Sequence, residues 1–578
     1  MVDLARAASA AAVIRGHACS TPERTAVIVV DDVERADGAT SWSYARLDAE
    51  ARRIGSWLRG RFPVGDRVLL LYPTGLEFVA AFVGCLYAGI AAVPAPLPGR
   101  YRHERARLCG IAENATVSAI LTDTENLPAI AEWAEAEGFA RTPHVATDGE
   151  LAEPGSWSPE DLDQDTLAML QYTSGSTGEP KGVMLSHGNI LHNVDSQRRE
   201  WGLSAETRLG GWLPHYHDMG LLGQLLPELL LGGTSVLMRP AAFLKRPHHW
   251  LRMIDKYDLY LSAAPGFAYE LCSTKVTDEQ LAGLDLSRWR FAPNGAEPIN
   301  AETLDAFAKR FAPAGFRDDV LSPCYGMAET TLFVSGDVYR KAVVTTVDSD
   351  QLERHRFVPA DVGTDLVSCG TPRDHDVLIA DLLTGEALEP GAIGEIWVRG
   401  SSVSKGYWRN TPANEQAFAP GGYVRTGDLG TLHGGELYVT GRLAEMMIVR
   451  GRNLYPHDIE RALRAQHAGL AGVGAAFTVE LDGEETLVVT HEVNGRPGED
   501  CLRRLAAEMK LTIARKFGVH LGGVSLLRRG GVRRTTSGKI QRVAMRRLFL
   551  DGELDAAYTS CEPQVADVLR ARQPVGVC

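Results

Sequence analysis

The sequence has no Cys-x-x-Cys pair. Its nine cysteines stand singly, at Cys19, Cys85, Cys109, Cys272, Cys324, Cys369, Cys501, Cys561 and Cys578. That spacing speaks against a disulfide framework and against a cysteine-built zinc site, and it fits a reducing cytoplasm. There is no excess of positive charge either. A formal net charge of −13 argues against a nucleic-acid-binding protein as a whole and favours solubility. No apolar run reaches the roughly 20 residues that a membrane helix needs. The segment from Phe78 to Pro94 comes nearest, but Gly84 and Gly89 interrupt it and Pro94, Pro96 and Pro98 stop it. It predicts a buried helix running into a buried strand. The first residues, MVDLARAASAAAVIRGHA, are Ala-rich without a basic region followed by a strong apolar core, so they do not read as a signal peptide. Internal repeats and low-complexity tracts are missing too.

What is present is a chain of 578 residues, long enough for two or more domains with large cores. From about residue 20 to 440, short apolar runs such as Arg67–Tyr72, Ser118–Thr122, Thr234–Met238 and Gly394–Arg399 alternate with helix-like stretches. That alternation predicts α/β layers with mainly buried strands. Beyond Gly441-Arg442 the character changes. Residues 446 to 550 predict a compact set: strands at Gly474–Val479 and Thr486–His491, a helix, another strand and a basic tail. Apolar residues at Leu502, Leu505, Ala506, Met509, Ile513 and Phe517 give that helix one buried face. The expected division is 1–443 for a large N-terminal domain, 444–555 for a small C-terminal domain, and 556–578 for a loosely held tail.

The motifs carry the chemistry. Gln171-Tyr-Thr-Ser-Gly-Ser-Thr-Gly-Glu-Pro-Lys-Gly182 follows the apolar run Leu167–Leu170. Gly175 and Gly178 let the backbone approach a ligand, and freed N–H groups can form an anion-binding nest. Thr173, Ser174, Ser176 and Thr177 add hydroxyl donors and Lys181 a point charge. It is not a Walker A loop, because Pro180 precedes the lysine and Gly182 follows it. On composition alone a flexible turn remains the alternative to a phosphate grip.

Trp212-Leu-Pro-His-Tyr-His-Asp-Met-Gly220 packs His215, His217 and Asp218 together. Metal binding, a structural role and orientation of an anionic substrate are all open for these histidines. Phe291-Ala-Pro-Asn-Gly-Ala-Glu-Pro298 is either an ordinary turn or one that reads a purine edge. In Tyr325-Gly-Met-Ala-Glu-Thr-Thr331, Glu329 suits Mg²⁺ held between one carboxylate and substrate phosphates, or a helix N-terminal acid. Asp428, after the turn glycine Gly427, suits the two hydroxyls of a ribose. Lys539, on the Gly-containing loop Thr535–Arg542, suits charge that develops transiently. Between Cys501 and Leu550, thirteen Lys/Arg face one acid, Glu508. This strip is a solvated face, a docking surface for an acidic partner or, given few interleaved aromatics, less favourably a nucleic-acid site.

In this order the motifs resemble the adenylate-forming superfamily of acyl-CoA synthetases, nonribosomal adenylation domains and luciferases, over about residues 20 to 555. Within it the chain looks most like the fatty acyl-AMP ligases, on the loop from Gln171, the Trp212–Leu221 segment, Phe243-Leu-Lys-Arg-Pro-His-His-Trp250, Asn294-Gly-Ala-Glu-Pro298 and Arg450-Gly-Arg-Asn-Leu-Tyr-Pro456. The resemblance implies a large multi-subdomain α/β domain with mixed sheets and a small mobile α+β domain. It implies ATP and Mg²⁺ as cofactors. Thr173, Ser174, Gly175, Ser176, Thr177, Gly178 and Lys181 would hold the phosphates, with Thr173 and Glu329 on the metal. Asn294, Gly295, Ala296 and Glu297 would contact adenine, walled by Tyr325, Gly326 and Met327. Asp428 would take the ribose, with Arg442 beside it. Lys539 would bridge the carboxylate and the α-phosphate, His217 would lie near the reacting carboxylate, and Met219–Leu226 would line the acyl tunnel.

The implied reaction forms a fatty acyl-adenylate and pyrophosphate, then passes the acyl group to the phosphopantetheine thiol of an acyl carrier protein, or of a polyketide synthase or nonribosomal peptide synthetase carrier domain. Neither nucleic acid nor a membrane span is expected. The segment Ser335–Ser368 is long enough to hold the insertion that restrains the small domain in acyl-AMP ligases and is linked to poor use of free CoA. Three positions depart from the family: Ala444 stands where Asp or Lys is usual at the hinge, Gly266 replaces an Asn, and Val-Arg-Arg precedes the Lys539 loop in place of Leu-Pro-Lys. A fatty acyl-CoA ligase is the nearest rival, and a non-catalytic nucleotide sensor on the same fold is a second.

Overall fold

The computed structural model describes residues 3–151, 161–174, 180–449, 452–481, 484–534 and 538–572. It is α/β with several mixed sheets, as the alternating pattern predicts. The largest sheet has six strands in the order His144–Ala146, Ala119–Thr122, Arg67–Leu71, Ala91–Ala95, Leu167–Ser174, Pro180–Ser186. Neighbours are parallel except the last two, which form an antiparallel pair. The apolar stretch near residue 80 enters this sheet as a buried helix, Leu76–Ala88, that ends at Gly89 (φ 66°) and turns into the buried strand Ala91–Ala95. A helix apolar on all sides belongs inside a large core. Gly84 is required there, because a Cβ would lie 2.9 Å from Ile54 of the neighbouring helix Tyr44–Arg59.

A second sheet orders Ala39–Ser43, Thr25–Val30, Thr234–Met238 and Arg208–Gly211. Ala292–Asn294 pairs with Leu321–Gly326, which pairs with Phe333–Gly336. An antiparallel sheet follows, in which Tyr423–His433 is flanked by Gly394–Arg399 and Glu436–Arg442.

After Arg442 a four-stranded sheet runs Leu470–Leu481, Glu484–Val493, Leu521–Leu527, Ala556–Cys561. It packs against the helices Pro456–Gln466, Glu499–Phe517 and Arg542–Leu550, with a core drawn from residues beyond Met447. The helix expected from Asp500 is observed at Glu499–Phe517, with Leu502, Leu505, Ala506, Met509 and Ile513 buried. The loosely held tail is corrected. Ala556–Cys561 is the fourth strand of this sheet, and the helix Pro563–Arg572 buries Val565 in its core.

Segment Ser335–Ser368 starts inside the strand Phe333–Gly336 and then forms a hairpin of Val344–Val347 with Thr364–Val367, carrying the helix Ser349–Glu353. Val347, Leu352 and Phe357 pack with Leu429, Tyr438 and Tyr455. Arg452 donates to both oxygens of Glu353 (2.8 and 2.7 Å), and Asn453 donates to the Glu353 carbonyl (2.9 Å). The segment is therefore clasped to the chain just beyond Arg442. Among the described residues, no helix is long and apolar enough to cross a membrane.

Candidate active site

The ends of these sheets converge on a cavity of about 920 Å³. Its wall is drawn from the large sheet (Gln171, Thr173, Lys181), the strand before Gly326, the turn Gly295–Glu297, the strand pair holding Asp428 and Arg442, and the Gly538–Lys539 loop.

Thr173 lies directly opposite Lys181 on antiparallel strands, and both reach the cavity. Gly175, Ser176, Thr177 and Gly178 fall outside the described residues, and of Ser174 only the backbone is described, as the last residue of its strand. The Lys181 ammonium sits 5.2 Å from the ring centroid of Tyr407, whose hydroxyl donates to Glu329 Oε1 (2.8 Å). Burial raises the pKa of Glu329, and the Tyr407 hydroxyl partly offsets this by bonding the charged form.

Asp428 and Arg442 are register partners across two strands, and Arg442 Nε donates to Asp428 Oδ1 (2.9 Å). The Tyr325 hydroxyl donates to Asp428 Oδ2 (2.9 Å). Both oxygens thus have a donor, yet a carboxylate offers about four lone-pair sites, so two further donors can still be accepted. Gly326 follows Tyr325 because a Cβ there would lie 1.8 Å from the Leu332 carbonyl oxygen. Met327 caps the short turn that presents Glu329.

Asn294 is almost fully buried, and neither its Nδ2 nor its Oδ1 has a hydrogen-bond partner. An unpaired buried amide in a native structure implies an absent partner. A nucleobase edge, with donors and acceptors side by side, fits that requirement. The next residues turn sharply, with Ala296 in the left-handed region (φ 69°). Glu297 lines the cavity beside Ala296; its Oε1 accepts from the Phe267 N–H (2.7 Å), and burial raises its pKa. Gly266 adjoins this contact, since a Cβ there would lie 3.0 Å from the same oxygen.

His217 and His215 part company. His217 Nδ1 lies 2.7 Å from Asp218 Oδ1 at the cavity wall. His215 points away, its ring centroid 3.8 Å from that of Phe78 and its Nδ1 3.4 Å from the Thr74 hydroxyl. Burial drives its pKa down to about 3, so it is a neutral core residue. Asp218 is the neighbour to which the resemblance gave no role. Burial works to raise its pKa, but the His217 ring and the Lys539 ammonium outweigh this and hold the carboxyl at about 2.

Lys539 comes in from the far end of the chain to face Asp218, Asp428 and Glu297. Burial and the Arg442 charge lower its pKa against those three acids. Gly538 makes this approach possible: it takes φ 89°, and a Cβ would lie 2.9 Å from the Phe267 ring. Three residues on, Arg542 fixes the loop's exit with two bonds to Glu460 (2.8 Å each) and one to Glu445 (2.8 Å). Ala444 sits in the short turn Leu443–Glu445, on the cavity wall.

The cavity wall also has an apolar set of residues, Trp201, Met219, Gly223, Leu261, Ala263, Leu332 and Phe333. Of the expected tunnel segment Met219–Leu226, only Met219 and Gly223 reach it; Leu221, Leu222, Leu225 and Leu226 are buried in the core. A π-helical turn over Leu221–Leu225 places these leucines out of the phase of a regular α-helix.

A mixed α/β body whose cavity wall carries both polar and apolar residues, with a lysine from late in the chain, has the make-up of an adenylate-forming enzyme. The chain belongs to the AMP-binding enzyme family, whose model matches residues 14–408. It is 41% identical over 537 residues to the medium-chain-fatty-acid–[acyl-carrier-protein] ligase JamA of Moorena producens, covering 89% of this chain and 91% of that protein. Among solved structures, one reported in studies of fatty acyl-adenylate ligases from E. coli and L. pneumophila superposes with a TM-score of 0.87 at 32% identity, covering 95% of this chain and 99% of the other. The L. pneumophila ligase in complex with acyl adenylate and pyrophosphate gives 0.74 at 34%, covering 97% and 99%.

Proposed function

We propose that the protein is a fatty acyl-AMP ligase: it activates a fatty acid with ATP to an acyl-adenylate and pyrophosphate, then passes the acyl group to the phosphopantetheine thiol of an acyl carrier protein. The observation that carries this reading is the placement of Lys539. Its ammonium faces Asp218 and Asp428 in a cavity whose wall also carries apolar residues such as Met219, Leu261 and Phe333. There a fatty carboxylate whose chain lies along those apolar residues would meet the α-phosphate of a nucleotide held by its ribose on Asp428.

In this reading Asn294 reads the adenine edge, Gly295 and Ala296 shape the turn, and Tyr325, Gly326 and Met327 wall the base. Thr173, Lys181 and the loop between them hold the β- and γ-phosphates. Glu329 and Thr173 would hold Mg²⁺, which neutralises phosphate charge when bound. Lys539 offsets the negative charge shared by carboxylate and α-phosphate as the acyl–oxygen–phosphorus bond forms and the bond to pyrophosphate breaks. His217, oriented by Asp218, lies near the reacting carboxylate. Catalysis is then positioning and charge stabilisation in a water-poor cleft. A cytoplasmic location accords with a substrate carrier and nucleotide found there.

The clasp of Arg452 and Asn453 on Glu353 supports acyl-AMP over acyl-CoA chemistry, because it ties the inserted segment to the chain that must move for thiol transfer. The test is ATP-dependent hydroxamate formation across a series of fatty-acid chain lengths, with and without CoA and carrier protein. The expected result is acyl-AMP formation with weak CoA thioester formation and efficient carrier loading. Efficient turnover of free CoA would favour the acyl-CoA ligase instead.

A further inference from the structure

Outside the cavity, one cluster of side chains has the composition of a metal site. Glu34 lies on the connection between the strands Thr25–Val30 and Ala39–Ser43, and His248 and His249 open the helix His248–Tyr257. One potential ligand atom from each lies within 4.8 Å of the others, and this is the only such group of three among the described residues. None of the three lines the active-site cavity.

One of the two contacts is within hydrogen-bond reach and the other is too long for it, and both suit coordination. His248 Nε2 is 3.2 Å from Glu34 Oε1, and His249 Nε2 is 3.7 Å from Glu34 Oε2. A tetrahedral ion with nitrogen and oxygen ligands at ~2.05 Å places neighbouring ligand atoms ~3.4 Å apart, between those two values. The two imidazole rings are nearly perpendicular, at 85°, with centroids 4.5 Å apart. His249 is the second, independent observation. It is only 4% exposed, and its Nε2 is buried with no hydrogen-bond partner. Such an orphan, aimed at a carboxylate just too far away to bond, is what a missing cation leaves behind.

We propose that Glu34, His248 and His249 bind a single borderline divalent cation, zinc foremost, which staples the loop before Ala39 to the start of the helix His248–Tyr257. Two imidazoles and one carboxylate select zinc, cobalt or nickel over magnesium or calcium, which favour oxygen ligands. The loop is already drawn to this helix, because Lys256 donates to the carbonyls of Val33 (2.9 Å) and Arg35 (3.2 Å). The ligands are thus brought together before the ion arrives. Beyond them, the Gln280 amide lies 3.1 Å from His248 Nδ1 and can orient that ring once its carbonyl oxygen faces the N–H. Turning the amide gives up the bond that Gln280 Oε1 accepts from Thr277 N–H (3.1 Å), on an exposed helix cap. Arg246, 3.7 Å from Glu34 Oε2, competes for the carboxylate.

The staple braces an aromatic wall. Trp250 follows His249 and packs edge-on against Trp212 and Phe243, and Trp212 in turn packs against Phe267 of the cavity.

The experiment uses the untagged full chain, stripped with EDTA and titrated with Zn²⁺ against a chromogenic chelator. One Zn²⁺ per chain is expected to bind at micromolar or lower free concentration and to raise the melting temperature. Co²⁺ should give the visible absorption of a tetrahedral site, and millimolar Mg²⁺ should not displace the ion. Glu34→Gln and His248→Gln change exposed or half-buried positions and should fold; each should weaken Zn²⁺ at least tenfold and abolish the thermal shift. Arg246→Gln should tighten binding. Pyrophosphate release by Glu34→Gln should stay at the parent level, which certifies its fold. Equal zinc stoichiometry and affinity in the parent and in Glu34→Gln would overturn the proposal, as would a parent protein that retains no zinc at micromolar concentration.

Discussion

At the scale of single residues, Lys539 is the side chain on which the proposed chemistry turns. It stands on a loop that Arg542 anchors independently, so truncating it should leave the fold and ATP binding in place. Loss of one preorganised charge typically lowers rate by roughly 10²–10³-fold. Lys539→Ala is therefore expected to slow pyrophosphate release by about that factor with ATP affinity near the parent value by calorimetry; near-normal release would remove the assignment. Glu329→Gln keeps the bond from Tyr407 but loses the anion. The Mg²⁺ concentration for half-maximal adenylation should rise, and an unmoved Mg²⁺ titration would exclude a metal role. Gly223 tests the apolar set of the cavity wall. A Cβ there already lies 2.9 Å from Leu332 Cδ2, so Gly223→Leu must take space from the cavity. The optimum in the hydroxamate series should move to shorter acids, with little loss on the shortest. A uniform loss at all lengths would mean that the acyl chain runs elsewhere.

Asp218 and Asn294 show where reading the residues in sequence stopped. Asp218 lies in the Trp212–Gly220 cluster, but its meaning comes from Lys539, which only tertiary folding brings to it. Asn294 reads as an ordinary turn residue until both ends of its amide prove buried and unpaired. Tyr407, which bonds Glu329, carries no motif at all.

At the scale of elements, periodicity foretold the pieces whose burial is one-sided or complete. The helix Glu499–Phe517 has a clean apolar face, and Phe78–Pro94 carries no charged residue, so both were legible. The last strand, Ala556–Cys561, was not. Its burial is partial and its residues are small or polar, so only pairing with Leu521–Leu527 makes it a strand. The π-helical turn at Leu221–Leu225 was invisible for a related reason, since one residue per turn too many leaves composition unchanged. The inserted hairpin was legible only as length. Its function in this chain rests on Glu353, which the structure joins to Arg452 through two bonds in one plane. Glu353→Gln should loosen the clasp and raise CoA thioester formation relative to acyl-AMP release, with adenylation unchanged. Arg452→Gln should do the same, and the double variant should add nothing. Additive effects would show that the two residues act separately.

At the scale of the whole molecule, the question is how a chain of net charge −13 meets an acidic carrier. The basic strip of the C-terminal region holds thirteen Lys/Arg between Cys501 and Leu550, but not all of it faces solvent. Lys539 turns into the cavity, Arg542 is committed to Glu445 and Glu460, and Lys510 reaches Ser560. What remains exposed includes Arg504, Arg515 and Lys516 on the outer face of the helix Glu499–Phe517, with Arg503 beside Glu499 and Asp500. The C-terminal end of this helix adjoins the Arg452–Glu353 clasp, because Arg452 donates to the Phe517 carbonyl. An acidic carrier steered to this face would arrive next to the segment proposed to restrain thiol transfer. Rim charges chiefly raise association rates and are screened by salt, with a Debye length of about 10 Å at 0.1 M. Reversing Arg503, Arg504, Arg515 and Lys516 to Glu should therefore slow acyl transfer to the carrier in stopped-flow or gel-based loading assays while sparing acyl-AMP formation. The difference from the parent should shrink as salt rises, because the parent slows as well. Transfer rates independent of salt would rule out steering. Equal loss of adenylation in the reversal variant would instead mean that this face supports the fold or the nucleotide site.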